Sequence, residues 1–136
     1  MLTHKTTLRV RYADTDQMQY AYNGKFFEYF EVGRTEMMRS QNLPYKKIEE
    51  NGYHMPVYET FIKYINPALY DELIEIETRV EKFPSARVHI DHTIRSLERN
   101  IVIAKGYVEL VFVDIQKKKI CRAPDFFTNA IKHYYE

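Results

Sequence analysis

Three features of the chain predict a two-layer α+β domain. Residues 25–40 carry apolar side chains at helical spacing, residues 73–113 alternate apolar and polar side chains, and only short turn-like segments interrupt that alternation. Tight turns join antiparallel strands, and one long helix on one face of such a sheet is the α+β arrangement. With 136 residues the chain reads as a single domain over 1–136, long enough to bury a core.

The elements follow in order. Leu8, Val10 and Tyr12 alternate with Thr7, Arg9 and Arg11, which predicts a half-buried strand over 7–12. Tyr12-Ala13-Asp14-Thr15-Asp16 closes that pattern, and a polar and aromatic loop runs from Gln17 to Tyr22. Asn23-Gly24 then opens the helix, with Asn23 the N-cap candidate because its side chain can accept from a free first-turn amide. Phe26, Phe30, Gly33 and Met37 share one helical stripe, while Lys25, Glu28, Arg39 and Ser40 lie elsewhere. Gly33 costs about 1 kcal/mol relative to Ala in mid-helix, which is tolerable where a sheet passes close to the helix axis. Asn42-Leu43-Pro44 ends the helix, and a second short helix covers 45–51.

Residues 56–65 read as a strand that stops at Asn66-Pro67. In 73–83, Ile74, Ile76, Thr78 and Val80 oppose Glu75, Glu77, Arg79 and Glu81. Phe83-Pro84-Ser85-Ala86 turns the chain into a strand with Val88, Ile90, His92 and Ile94 on one face, and Glu98-Arg99-Asn100 turns it into a long apolar strand over 101–113. A turn over 114–119 leads to a short strand around Ile120-Cys121-Arg122, and Pro124-Asp125 starts a terminal helix. One helix covers only part of a sheet face, so Val102, Val108, Leu110 and Phe112 call for further cover, which dimerisation would supply.

Composition excludes several classes. A net charge of +1 predicts no nucleic-acid or membrane partner, and Lys117-Lys118-Lys119 reads as a solvated turn. Cys121 is alone, so neither a disulfide framework nor zinc spacing is present, and a reducing, cytoplasmic setting is expected. The N-terminus has no apolar leader stretch, and no segment approaches the ~20 apolar residues of a membrane span. His89 and Asp91 would share one side of a strand and His92 the other, so they predict no metal site. Only 4 glycines and no glycine-rich loop argue against a phosphate-loop or dinucleotide fold.

The most informative stretch is 12–36. It sets Asp16 a few residues before a helix start, where free N–H groups and a partial positive charge gather. A base or nucleophile beside a donor for an oxyanion is the minimum equipment for attack on a carbonyl. The plainer alternative is a loop Asp that turns the chain. Asp14 could pair with Asp16 if both lie on a strand, but the favoured role is bonding to backbone or to Arg9 or Arg11. Glu31 and Arg34, three apart on the helix, can pair.

Tyr12-Ala13-Asp14-Thr15-Asp16, Tyr22, Phe30-Glu31, Arg34-Thr35-Glu36, Tyr64-Ile65-Asn66-Pro67-Ala68 and Asp71-Glu72-Leu73 together resemble the 4-hydroxybenzoyl-CoA thioesterase-like acyl-CoA thioesterases. The resemblance implies the hotdog fold, an antiparallel sheet of five or six strands wrapped around the long helix. It implies a homodimer, often doubled to a homotetramer, with two sites at the dimer interface. The implied reaction is hydrolysis of an acyl-CoA, or of an acyl carrier protein thioester, with no metal or redox cofactor. By the same resemblance the catalytic Asp falls on Asp16, and the oxyanion donor on the backbone N–H of Asn23 or Gly24. Family members commonly have His or Tyr where this chain has Asn23, and favour Gly where it has Met18 and Gln19. Tyr22 is a candidate for the acyl pocket, and Ser85, Arg87 and Arg122 for the CoA phosphates, since Arg suits bidentate phosphate contacts. The replacement at position 23 motivates an alternative, a non-catalytic module that binds acyl-CoA or scaffolds a partner. A hotdog dehydratase ranks last, because 12–36 contains no His.

Overall fold

The computed structural model describes residues Met1–Glu136. Strand β1 (Leu2–Arg9) leads through a 3₁₀ turn (Tyr12–Asp14) and a loop to α1 (Lys25–Ser40). Then come α2 (Tyr45–Glu50), a two-residue β2 (Tyr53–His54) and β3 (Val57–Tyr64). A meander follows: β4 (Leu73–Val80), β5 (Arg87–Ser96), β6 (Ile101–Asp114) and β7 (Lys119–Cys121), closed by α3 (Asp125–Ile131). Every pairing is antiparallel.

The main sheet runs β1-β4-β5-β6-β3, and short β2 and β7 continue the two sides of β6 beyond β3 and β5. The meander is the one expected from the turns, but β3 does not neighbour β4. It pairs with β6 on the far edge, and residues 65–72 carry the chain back across the sheet to β4. That crossover passes the start of α1 and becomes one wall of the site.

Helix α1 lies inside the curl of the sheet. Phe26, Phe30, Gly33 and Met37 are buried, as their spacing requires. A Cβ on Gly33 would come within 2.6 Å of Ile76 Cγ2 and 2.7 Å of Thr78 Oγ1, so the sheet does pass against the helix backbone. Phe30 stacks on the buried His92 ring at 4.5 Å between centroids. A sheet curled round one long helix is the hotdog arrangement.

Two expectations fail. The strand at 7–12 stops at Arg9, because Tyr12 begins the 3₁₀ turn and is exposed. Val108, Leu110 and Phe112 need no second chain for cover: they face inward and are buried, Phe112 against Phe127 at 5.0 Å. On β3, an edge strand, Val57, Tyr58, Phe61 and Tyr64 are all open to solvent.

Candidate active site

The loop between the 3₁₀ turn and α1 folds into a miniature hairpin. Thr15 bridges Ala21, the Asp16 amide donates to the Tyr20 carbonyl at 3.0 Å, and the Gln19 amide donates to the Asp16 carbonyl at 3.0 Å. Gln19 sits at φ +64°, a left-handed conformation that favours glycine. Asp16 Oδ1 accepts the Met18 amide at 2.9 Å, so this Asp does turn the chain. Its other oxygen has no protein partner, no cation pairs with it, and the side chain is exposed at a cleft.

The cleft has a volume of about 270 Å³ and is lined by Asp16, Tyr20, Asn23, Phe26, Tyr64 and Asn66, among others. Asn23 is not a side-chain cap. Gly24 holds the N-cap position with helical dihedrals and no side-chain bond, since the turn is closed by backbone instead. The Lys25 amide donates to the Tyr22 carbonyl at 2.9 Å, and the Phe26 amide to the Asn23 carbonyl at 3.2 Å. The amides of Asn23 and Gly24 donate to nothing within the chain. Carbonyl and N–H point opposite ways across a trans peptide, so these two donors face out beyond the helix start. The Tyr64 hydroxyl donates to the Asn23 carbonyl at 2.9 Å and fixes that peptide. Burial, then the neighbouring Tyr22, pushes the Tyr64 hydroxyl above its ordinary pKa.

Both walls hang on buried carboxylates. Asp14 Oδ2 accepts the Arg11 amide at 3.1 Å and the Tyr29 hydroxyl at 3.0 Å, and Oδ1 accepts Arg11 Nη2 at 3.1 Å. Burial alone would raise the Asp14 pKa; these donors, the Arg11 amide foremost, hold it below the ordinary carboxylate value. Burial, then the Asp14 charge, pushes Tyr29 above its usual value. Asp14 therefore takes the Arg11 partnership favoured from the sequence, and a paired-carboxylate site does not form. Glu72 plays the matching part under the crossover: it accepts Ser96 Oγ at 2.7 Å, Arg99 Nη2 at 2.8 Å and the Leu69 amide at 3.1 Å. Arg99 also donates to the Pro67 carbonyl at 2.7 Å. Burial raises the Glu72 pKa, and Arg99 and Ser96 more than reverse that.

The remaining candidates are dispersed. Tyr22 does not line the cleft; its exposed ring lies over Gly24, where a Cβ would meet Tyr22 Cε1 at 2.6 Å. Ser85, Arg87 and Arg122 cluster at the opposite end of the sheet, tied by the Ala123 amide bonding to the Ser85 carbonyl at 2.8 Å. Arg87 stands level with Val111 and Tyr64 level with Ala104. Seven residues of strand separate those rows, roughly 20 Å, so one chain does not bring these residues to Asp16. The Arg87 guanidinium instead lies 4.1 Å from the Tyr58 ring centroid and 3.5 Å from Glu109 Oε1. Arg34 forms no ion pair with Glu31; it is buried, and its Nε donates to the Tyr45 hydroxyl at 3.3 Å. His89 contacts Glu109 and Asp91, while His92 faces the core, and no group of His, Cys, Asp and Glu forms a metal-binding cluster.

Sequence reading missed the Glu72–Arg99 anchor and the Tyr29 contact to Asp14. The signal available was slight: Tyr29 lies off the apolar stripe between Phe26 and Phe30, and a Tyr buried in a helix seeks a partner for its hydroxyl.

Comparison with known proteins bears on the family and the fold. The model of the thioesterase-like superfamily matches residues 10–131. The acyl-CoA thioesterase YbgC of Haemophilus influenzae is 28% identical over 127 residues, 93% of this chain and 92% of its own. The acyl-CoA thioester hydrolase YbgC of Escherichia coli is 27% identical over 112 residues, 82% of this chain and 83% of its own. The DHNA-CoA thioesterase of Staphylococcus aureus superposes with a TM-score of 0.88 at 27% identity, covering 98% of this chain and 89% of that one. No helix here is long and apolar enough to cross a membrane.

Proposed function

The chain belongs to the thioesterase-like superfamily, and from that premise we propose that it hydrolyses an acyl-CoA thioester to free acid and CoA. Asp16 is the general base or nucleophile, and the Asn23 amide, with Gly24 beside it, stabilises the oxyanion. The single observation that carries this reading is that Asp16 and Asn23 line one cleft, the first with an unpartnered carboxylate oxygen and the second with an unpartnered N–H. A preorganised donor of this kind is worth about 3–4 kcal/mol of barrier. Because the donor is backbone, the exchange of His or Tyr for Asn23 leaves it in place.

In this reading the working unit is a homodimer. Two β3 edges pairing antiparallel would set the Val57 end of one chain against the Tyr64 end of the other. The second copy would then present its Tyr58 and Arg87, with Ser85 and Arg122 behind them, beside the cleft at Tyr64 and Asn66. That brings Arg87 and Arg122 as cationic groups for the CoA phosphates to the end of the sheet where Asp16 lies. The exposed apolar residues of β3 support it, since a long, uncovered apolar edge in a lone chain invites pairing.

The test is CoA release from a panel of thioesters, acetyl through palmitoyl plus aromatic acyl groups, by wild type and Asp16→Asn. Turnover by the wild type and a loss of about 10²–10⁴-fold in the variant are expected. Equal rates would end the role of Asp16; acyl-CoA binding without any turnover would favour a non-catalytic acyl-CoA module.

A further inference from the structure

Asp14 is joined to more of the cleft than any residue that lines it. Its carboxylate takes the Tyr29 hydroxyl from the second turn of α1 and the Arg11 amide from the segment between β1 and the 3₁₀ turn. Lys25 Nζ, from the first residue of the helix, stands 3.7 Å from its Oδ1. Its carbonyl accepts the Tyr22 amide at 2.8 Å, and Tyr22 immediately precedes the free donors at Asn23 and Gly24. Two residues further along the same backbone is Asp16. One buried group thus ties the loop that carries the acid, the turn that carries the N–H donors, and the helix behind both.

We infer that Asp14, gripped by the Tyr29 hydroxyl, is a positioning residue that sets the distance between the Asp16 carboxylate and the amides at the helix start. This rests on the hydrolase reading of the cleft. Asp14 is buried and does not line the cleft, so it touches no substrate. Its effect is geometric. The hairpin is held by few other bonds, Ala21 to Ala68 at 2.8 Å being the main one to the opposite wall. Misplacing reacting groups by about 1 Å can cost on the order of 10²-fold in rate. A carboxylate at 14 accepts from all its neighbours at once, whereas an amide there would turn one of its own donors toward an N–H or O–H.

Three variants test this: Tyr29→Phe, which removes one bond and keeps the ring; Asp14→Asn; and Ile90→Val, a fully buried core change remote from the cleft. At a temperature where all remain folded, kcat is expected to fall about tenfold in Tyr29→Phe and about a hundredfold in Asp14→Asn, with KM within about threefold of wild type. Ile90→Val is expected to lower stability and leave kcat unchanged. Amide hydrogen exchange should rise at Asp16, Gln19, Ala21 and Tyr22 in the first two variants only. Unchanged kcat and exchange in both would overturn the inference, as would a kcat loss that simply tracks lost stability in all three. Exchange is read whether or not the wild type turns over. A silent thioester panel with raised exchange therefore ends the hydrolase reading and keeps the clamp, while active enzyme with unaltered exchange and kcat ends the clamp alone.

Discussion

His92 is wholly buried, its Nδ1 lies 3.1 Å from Thr78 Oγ1, and its Nε2 has no partner. Burial, with Arg34 and Arg79 nearby, pulls its pKa from 6.5 to about 3. The folded chain keeps this ring neutral through a range where the unfolded chain protonates it. Unfolding therefore takes up a proton, and stability falls as pH drops below about 6.5, by up to about 1.4 kcal/mol per pH unit. Above that pH the contribution is flat. Asp14 and Glu72, both held below the ordinary carboxylate range, act in the same direction from about pH 5 downward, where the unfolded carboxylates begin to protonate. The His92 effect sets in at the higher pH. Urea unfolding of wild type between pH 7 and about 3.5 should show stability declining from about pH 6.5, and His92→Leu should remove the slope above about pH 5 while leaving the loss below it. A wild-type curve flat from pH 7 to 5 would mean that the ring is protonated in the fold.

At the scale of elements, the contact between α1 and the sheet carries the fold. Gly33 lets Ile76 and Thr78 approach the helix backbone, and a methyl there meets both within 2.7 Å. Ala would gain about 1 kcal/mol in helix propensity, but overpacking costs about 1–3 kcal/mol. The displaced Thr78 would also release its bond to His92, leaving that ring unsatisfied at both nitrogens. Gly33→Ala is therefore expected to destabilise by about 1–2 kcal/mol, read as a lower urea midpoint at constant m-value; a raised midpoint would show that the sheet yields. This contact was legible in advance because a Gly interrupts an apolar stripe of period 3.6. So were the ends of α1, the meander strands and the last helix, each set by local periodicity and turn residues. The partner of β3 was not legible, since edge pairing across a crossover leaves no local mark. Nor was the end of β1: Tyr12 continues the alternation by type, yet the Asp14 carboxylate captures the Arg11 amide and winds the chain into a 3₁₀ turn. The two aspartates were visible as candidates, and their spacing alone could not say that Asp14 turns inward and Asp16 outward.

On the scale of the whole molecule, the distribution of the candidate residues becomes an argument about assembly. Asp16 and the free amides stand at one end of the sheet, and Ser85, Arg87 and Arg122 at the other. A two-fold axis through the open β3 edge exchanges those ends, so each acid would work beside the second chain's arginine. This makes a specific expectation for mixed subunits. Asp16→Asn should lose kcat, and Arg87→Ala should lose kcat/KM at low acyl-CoA, where phosphate contacts matter most. Neither variant alone has an intact site. When the two are unfolded together, mixed in equal amounts and refolded, half of the dimers pair unlike chains, and each mixed dimer joins one wild-type Asp16 to one wild-type Arg87. About one quarter of the wild-type sites should return, measured as thioester turnover at sub-KM substrate, while either variant refolded alone stays low. If acid and arginine instead served the same site from one chain, no mixture could restore a site, and activity would remain at the mean of the two variants. Restoration would thus test the interface and the substrate orientation together, with the thioester at the mouth of α1 and the nucleotide end of CoA lying toward the second chain's Arg87.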